Sequence, residues 1–139
     1  YALVGVVLLF SLKFSVLLEL PNNQLPFVLL AGHSISRFSP LCLMYVYDYA
    51  RTDDSKAGVA VYKPNQIELS MAFLCAALPL LLLPVLCSAA IVSVLLVTFL
   101  LGRYFYRQIG GYTGDCLGAI QQISEVFFYL TVSALWKFI

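Results

Sequence analysis

Charged residues are scarce in this sequence: they make up 11% of its 139 residues, against 62% hydrophobic residues. A soluble domain normally carries about a quarter charged residues, and a chain this short cannot hide so much apolar surface in one water-soluble core. The composition therefore excludes an ordinary soluble domain and predicts a membrane protein with the lipid bilayer as its partner. The net charge of +1 also shows no basic surface of the kind that binds nucleic acid, so we expect no nucleic-acid partner.

Residues that build zinc sites and disulfides are also few. There is a single histidine, His33, and no two of the four cysteines have C-x-x-C spacing. These observations argue against a zinc site or a disulfide framework. We expect the cysteines to behave as buried small hydrophobic residues; they are Cys42, Cys75, Cys87 and Cys116.

Long apolar segments dominate what is present. They predict an all-α fold, a polytopic membrane helical bundle with about five transmembrane helices in a single membrane domain over residues 1–139. The predicted spans are about 2–20, 27–47, 69–84, 86–102 and 116–136. One helix over 69–102 would be about 50 Å long against a hydrocarbon core of about 30 Å. Pro84 would also break its hydrogen-bond ladder, so we predict two short helices with a tight turn near residues 84–88.

The placement of cations predicts the orientation. If residues 69–102 cross twice, the polar loops 48–68 and 103–115 lie on the same side of the membrane. Both loops contain Lys or Arg, whereas the connections at 20–27 and near Pro84 contain neither. The positive-inside rule then places both polar loops in the cytoplasm. On this topology the two loops can meet.

The sharpest local motif is the run GGYTGDCLGA at residues 110–119, just before an apolar helical pattern. Thr113 fits an N-cap, and the glycines allow backbone N–H groups to approach an anion at a helix N-terminus. Asp115 would then lie in the first turn, and a carboxylate beside a phosphate-sized anion site indicates a shared Mg²⁺. The same run also fits a plain glycine turn with a capping aspartate, and the motif alone does not decide between the two.

Further polar residues lie within apolar helices, where they face protein or a water-filled cavity rather than lipid. Asp115, Gly118, Gln122 and Glu125 share one face of the last helix. Arg37 in the second helix has His33 one turn away and Ser36 beside it; an arginine there is either a salt-bridge partner or a phosphate ligand. Glu125 either acts directly or pairs with Arg37, and the sequence leaves both open.

Basic residues in the two polar loops complete the set. Arg51 and Lys56 lie in a loop of mixed charge that would also fit a solvated surface. Arg103 and Arg107 lie one turn apart and would also suit anionic lipid headgroups. Several cations, a carboxylate at a helix start and a glycine-rich anion site together favour phosphoryl transfer, which depends on positioning and charge neutralisation.

The sequence RQIGGYTGDCLGA at residues 107–119 resembles the C-terminal signature of the cobalamin synthase family, the adenosylcobinamide-GDP ribazoletransferases. The sequences GHSISR at 32–37, YAR at 49–51 and SKA at 55–57 are similar to middle motifs of that family, in the same order. The resemblance covers essentially the whole chain, and the glycine–aspartate motif followed by a last membrane helix is its most specific part.

The resemblance implies a Mg²⁺-dependent enzyme in the plasma (inner) membrane of a bacterium or archaeon. A hydroxyl of α-ribazole, or of its phosphate, attacks the pyrophosphate of adenosylcobinamide-GDP, and GMP leaves in the last step of cobalamin assembly. Asp115 is then the expected metal ligand, and Asp115 and Arg37 the expected catalytic residues. The expected phosphate ligands are Arg51, Lys56, Arg103, Arg107, Gly110, Gly111 and Gly114, with support from His33, Ser36, Gln122 and Glu125.

One family feature has no counterpart. The family has an acidic, glycine-containing motif in its N-terminal half, whereas Glu19 is the only acidic residue before Asp48. The chain begins at Tyr1, inside an apolar run and without the basic start of a signal peptide. We therefore expect the C-terminal part of a longer enzyme, inactive without the N-terminal part of the same protein. The sequence leaves open whether the protein forms a homo-oligomer.

Two alternatives come from other functional classes. Broken helices and an intramembrane Arg–Glu pair would suit a small transporter or a membrane scaffold, although no repeat relates the two halves of the chain. A different membrane alcohol phosphotransferase would also fit, but the tandem D-G-x-x-A-R type of motif expected there is missing.

Overall fold

A computed structural model of the chain describes residues 2–50 and 62–138. Within these ranges the chain is helical, with one isolated β-bridge and no strand, which confirms the predicted all-α fold. The α-helices are α1 (Ala2–Leu18), α2 (Leu25–Val46), α3 (Gln66–Ala77), α4 (Ala90–Ile109) and α5 (Gly114–Trp136), and two 3₁₀ turns, Leu78–Leu82 and Val85–Ala89, connect α3 to α4. The helices follow the five apolar segments of the sequence.

The long apolar segment is broken at Leu83 and Pro84, both of which have extended backbone. Proline has no N–H to continue a helical ladder, so its position explains the break. At the start of α3 the Gln66 side chain donates a hydrogen bond to the Tyr45 hydroxyl (3.2 Å), near the end of α2. At the end of α4 the ring of Tyr106 lies 5.2 Å from that of Tyr47, also at the end of α2. The chain therefore reverses direction at Pro84.

The central helix is α5, which packs against α1, α2 and α4. The contact with α2 is close because Gly32 lies directly against the rings of Phe128 and Tyr129, where an added Cβ would overlap ring atoms. Around it lies the main core, formed by buried apolar side chains that include Val28, Ile35, Val94 and Val132. This packing fixes the polar face of α5 relative to α1 and α2.

The outer surface of the bundle is apolar. Large hydrophobic side chains are strongly exposed, for example Phe10 on α1, Leu81 in the first 3₁₀ turn and Phe99 on α4. Two helical segments, Leu25–Val46 and Val85–Ile109, are long and apolar enough to cross a bilayer by length and composition. The structure is thus compatible with a membrane protein, while the five crossings stay a prediction.

The four cysteines are free, as expected, but they are not uniformly buried. Cys87 is buried, Cys42 and Cys116 are partly buried, and Cys75 is exposed. The prediction of burial was wrong for Cys75 because α3 packs through Ala72 and Ala76, which leaves Cys75 on the outer face.

Candidate active site

The glycines of residues 110–114 serve different purposes where α4 ends and α5 begins. Gly110 follows the last residue of α4 with a left-handed backbone (φ 73°), and its N–H donates to the Tyr106 carbonyl at 2.9 Å. This conformation favours glycine and ends the helix. A Cβ at Gly111 would overlap the Asp48 carbonyl oxygen, so this glycine permits the backbones of two loops to touch.

The contact between these loops is formed by backbone hydrogen bonds. The Tyr112 N–H donates to the Asp48 carbonyl (3.1 Å), and the Ala50 N–H donates to the Tyr112 carbonyl (2.9 Å). The rings of Tyr49 and Tyr112 pack edge to face at 5.6 Å. This contact of Asp48 and Ala50 with Tyr112 confirms the prediction that the two polar loops can meet.

Tyr112 is only 2% exposed and anchors this contact. Burial, followed by the negative charge of Asp48, raises the pKa of its phenol above the ordinary value of 10.0. The phenol therefore stays neutral at physiological pH and acts as a packing group.

The start of α5 is open. Asp115 lies in the first turn, as predicted, and its side chain is exposed. Among residues 2–50 and 62–138, no atom lies within 4 Å of a Cβ added at Gly114 or Gly118, on either side of Asp115. A helix N-terminus with accessible N–H groups attracts anions, and the nearby carboxylate adds a site for a cation.

Thr113 occupies the N-cap position of α5 with extended backbone. Its side chain accepts no capping hydrogen bond from the backbone, so that part of the prediction was wrong. Its hydroxyl instead donates to the Cys116 sulfur at 3.3 Å. The backbone N–H groups of the first turn are therefore not capped by this side chain.

The residues present fit a Mg²⁺ ion only in part. In residues 2–50 and 62–138 no group of three or more His, Cys, Asp or Glu side chains could hold a metal ion. Asp115 offers one exposed carboxylate, while the nearby Asp48 carboxylate is paired with Lys63 at 3.0 Å. One carboxylate beside an anion site suits a Mg²⁺ ion that takes its other ligands from substrate phosphates and water.

Two of the predicted phosphate ligands lie near the same end of the bundle. Arg103 and Arg107 are exposed on the last turns of α4, and neither has an ion-pair partner among the described residues. A cation in the last turn also interacts favourably with the helix dipole, which gives Arg107 a structural role as well. Arg51 and Lys56 lie outside the described residues.

A second group of polar residues lies deeper in the bundle, around Glu125. One oxygen of its buried carboxylate contacts Lys13 Nζ at 2.8 Å, and the other accepts a hydrogen bond from the Tyr129 hydroxyl at 2.8 Å. The Nδ1 atom of His33 lies 4.0 Å from that second oxygen. The partner of Glu125 is thus Lys13, and the alternative of a pair with Arg37 was wrong. Sequence analysis missed Lys13, whose signal is that it is the only charge within α1.

The remaining predicted residues separate by orientation. Arg37 is exposed, and its Nε donates to Nε2 of His33 at 3.1 Å. The Gln122 side-chain oxygen lies 3.5 Å from Lys13 Nζ. Ser36 is buried and donates to the carbonyl of His33 in its own helix, so it does not face this group.

The predicted residues therefore fall into two groups at different depths along α5, and Lys13 and Tyr129, which were not predicted, belong to the second. We call the first the loop group (Arg103, Arg107, Gly110, Gly111, Gly114 and Asp115) and the second the inner group (Lys13, His33, Arg37, Gln122, Glu125 and Tyr129). Asp115 and Glu125 are ten residues apart on one helix, a separation of about 15 Å along its axis. No ion pair joins Arg37 to Asp115 in the described part of the chain, so the two predicted catalytic residues belong to different groups.

Comparison with known proteins agrees with the family that the sequence motifs resemble. The family model for cobalamin-5-phosphate synthase matches residues 1–133. A protein from Shewanella frigidimarina, named adenosylcobinamide-GDP ribazoletransferase, is 37% identical over 94% of this chain and 51% of its own length. Proteins of the same name from Shewanella piezotolerans and Leptospira interrogans are 35% and 34% identical over 98% and 96% of this chain, and 56% and 55% of their own lengths.

No solved structure matches this chain. The chain spans about half the length of the curated relatives it matches. A match that extends over nearly all of its residues nevertheless settles the question of kinship, and the chain belongs to the cobalamin-5-phosphate synthase family.

Proposed function

We propose that this chain takes part in a Mg²⁺-dependent transfer that joins adenosylcobinamide-GDP to α-ribazole, or to its phosphate, with release of GMP. The names of the relatives support the reaction. The observation that supports its location is the start of α5, where the carboxylate of Asp115 is exposed and Gly111 and Tyr112, just before it, contact the loop after α2.

The reaction makes one phosphorus–oxygen bond and breaks another. The hydroxyl oxygen of the ribazole attacks the phosphorus bonded to the cobinamide and loses its proton. The bond from that phosphorus to the bridging oxygen breaks, and GMP leaves with the bridging oxygen. The new phosphodiester links the two halves of the cobalamin. Negative charge is spread over the phosphoryl oxygens throughout, so a protein accelerates such a step mainly by positioning and by neutralising charge.

The loop group has the chemistry for this task. Backbone N–H groups at Gly114 and at the start of α5 donate hydrogen bonds to phosphate oxygens, which the helix dipole favours. Arg103 and Arg107 bind the pyrophosphate, together with Arg51 and Lys56 of the neighbouring loop. Asp115 holds Mg²⁺, which when bound neutralises phosphate charge and orients the pyrophosphate.

The tyrosines support a position of this site at the membrane surface. Seven of the nine tyrosines lie at the end of the bundle where the two loops meet: Tyr45, Tyr47, Tyr49, Tyr62, Tyr104, Tyr106 and Tyr112. Tyrosine is enriched where a membrane meets water. We place residues 48–68 and 103–115 at the cytoplasmic face of a bacterial or archaeal plasma membrane that the chain crosses several times. The prediction that all of these residues are loop was wrong for 66–68 and 103–109, which belong to α3 and α4. Glu125 then lies about 15 Å deeper along α5.

The test is a product assay with membranes of cells that express the intact protein. We expect GMP and a cobalamin product to form in equal amounts from adenosylcobinamide-GDP, only when α-ribazole or its phosphate and Mg²⁺ are both present. GMP release without an acceptor would indicate a hydrolase. Absence of both products from well-folded protein would contradict the proposal and favour a transporter or scaffold.

A further inference from the structure

We infer that His33 is a positioning residue that fixes Arg37, with Glu125 and Lys13 setting the state of its imidazole. The inference rests on the proposed function and extends it, because it adds Arg37 of the inner group to the groups that bind phosphate. It goes further because it assigns a single role to four residues on three helices. The residues that act together are Lys13 of α1, His33 and Arg37 of α2, and Glu125 of α5.

The hydrogen bond between Arg37 and His33 defines the tautomer. Arg37 Nε can only donate, so His33 Nε2 must accept at 3.1 Å and carry no proton. The ring proton of a neutral imidazole is then on Nδ1. That atom faces the Glu125 carboxylate oxygen at 4.0 Å, which is beyond hydrogen-bond range but close enough for electrostatic attraction to favour this tautomer.

The carboxylate of Glu125 is itself fixed. Lys13 contacts one oxygen and the Tyr129 hydroxyl donates to the other, so both oxygens have partners that hold the carboxylate in one orientation. The positive charge of Lys13 balances the carboxylate. The imidazole of His33 therefore lies between a fixed carboxylate on its Nδ1 side and Arg37 on its Nε2 side.

The consequence for Arg37 follows from the geometry of the guanidinium group. The contact with His33 uses Nε, and the two terminal nitrogens have no partner among residues 2–50 and 62–138. Arg37 is exposed although it lies in the middle of an apolar helix. A guanidinium held at Nε presents its two terminal nitrogens as a preorganised fork, the arrangement that binds phosphate through two hydrogen bonds.

Two substitutions of His33 test this role because they preserve different atoms of the ring. In His33→Gln the side-chain oxygen can take the place of Nε2 and still accept from Arg37. In His33→Asn the amide lies at the position of Nδ1 and cannot reach Arg37. We expect His33→Gln to retain most of the kcat/KM for adenosylcobinamide-GDP, and His33→Asn to lose about tenfold, the scale on which misplaced binding groups affect catalysis.

A double-mutant comparison separates positioning from a general structural effect. Arg37→Gln should lower kcat/KM, and adding His33→Asn to it should cause no further loss, since the two residues act as one unit. Thermal unfolding of each variant in detergent, followed by Trp136 fluorescence, should occur within a few degrees of the original protein.

The outcomes distinguish this inference from the proposed function. Equal losses in His33→Gln and His33→Asn, or additive losses in the double variant, would overturn the positioning role while leaving phosphate binding by Arg37 intact. Full activity of Arg37→Gln would remove Arg37 from the site and the inference with it, while GMP release in the original protein would still support the proposed function.

Discussion

Asp115→Asn should lower GMP release by about 100-fold, the size of effect seen when one group that stabilises transition-state charge is removed. Asparagine keeps the shape of aspartate but lacks the negative charge through which a carboxylate binds Mg²⁺. The side chain is exposed at the first turn of α5, so the fold should tolerate the change. The measurement is the rate of GMP release from adenosylcobinamide-GDP at saturating acceptor and Mg²⁺.

The matched control is Asp48→Asn, which removes the neighbouring carboxylate. Asp48 is exposed and paired with Lys63, and exposed ion pairs contribute about 0–1 kcal/mol to stability. Its backbone carbonyl, which accepts the hydrogen bond from Tyr112, stays in place. We expect activity within a few-fold of the original protein. Equal losses of activity in both variants would mean that the overall negative charge of this surface matters, and not metal binding by the Asp115 carboxylate.

Gly111→Ala should reduce both stability and activity, because a Cβ at this position overlaps the Asp48 carbonyl oxygen. The new methyl group must push apart two backbones joined by hydrogen bonds at Tyr112, and such overpacking typically costs about 1–3 kcal/mol. The loop after α2 would move away from the start of α5, and the phosphate-binding groups on the two segments would move apart. Thermal unfolding in detergent and the GMP assay measure the two effects.

Gly118→Ala provides the stability control. It lies one turn into α5, where a Cβ meets no atom of the described residues within 4 Å. Alanine favours a helix over glycine by about 1 kcal/mol. We expect its unfolding temperature to be unchanged or slightly higher. If Gly111→Ala unfolded at the same temperature as Gly118→Ala, the contact between the loops would not hold the site together.

Local features of the sequence were sufficient for much of the fold. Pro84 breaks the long apolar segment because its missing N–H acts within one turn, and Gly110 and Asp115 mark the end of α4 and the start of α5 for equally local reasons. Cation placement then predicted that the two loops meet, and the hydrogen bonds of Tyr112 with Asp48 and Ala50 confirm it.

Contacts between distant residues were not predictable in the same way. Lys13 and Glu125 are 112 positions apart, and only the packing of α1 against α5 makes them partners. Arg37 was the natural partner to expect for Glu125, but an intrahelical bond to His33 takes its Nε. Thr113 occupies the N-cap position, but its hydroxyl donates to the Cys116 sulfur and accepts no capping hydrogen bond from the backbone, a detail that residue types alone do not decide.

The most direct test of the site at Asp115 is a change of metal preference. In Asp115→Cys a thiolate replaces the carboxylate, and soft thiolate ligands bind Mg²⁺ poorly but favour thiophilic ions such as Cd²⁺. The measurement is GMP release with Mg²⁺ alone and with added Cd²⁺, for Asp115→Cys and for Asp115→Ser as the control. The prediction is little release from either variant with Mg²⁺ and recovery with Cd²⁺ in Asp115→Cys only. Undiminished release from Asp115→Ser with Mg²⁺ alone would contradict a metal-binding role for Asp115.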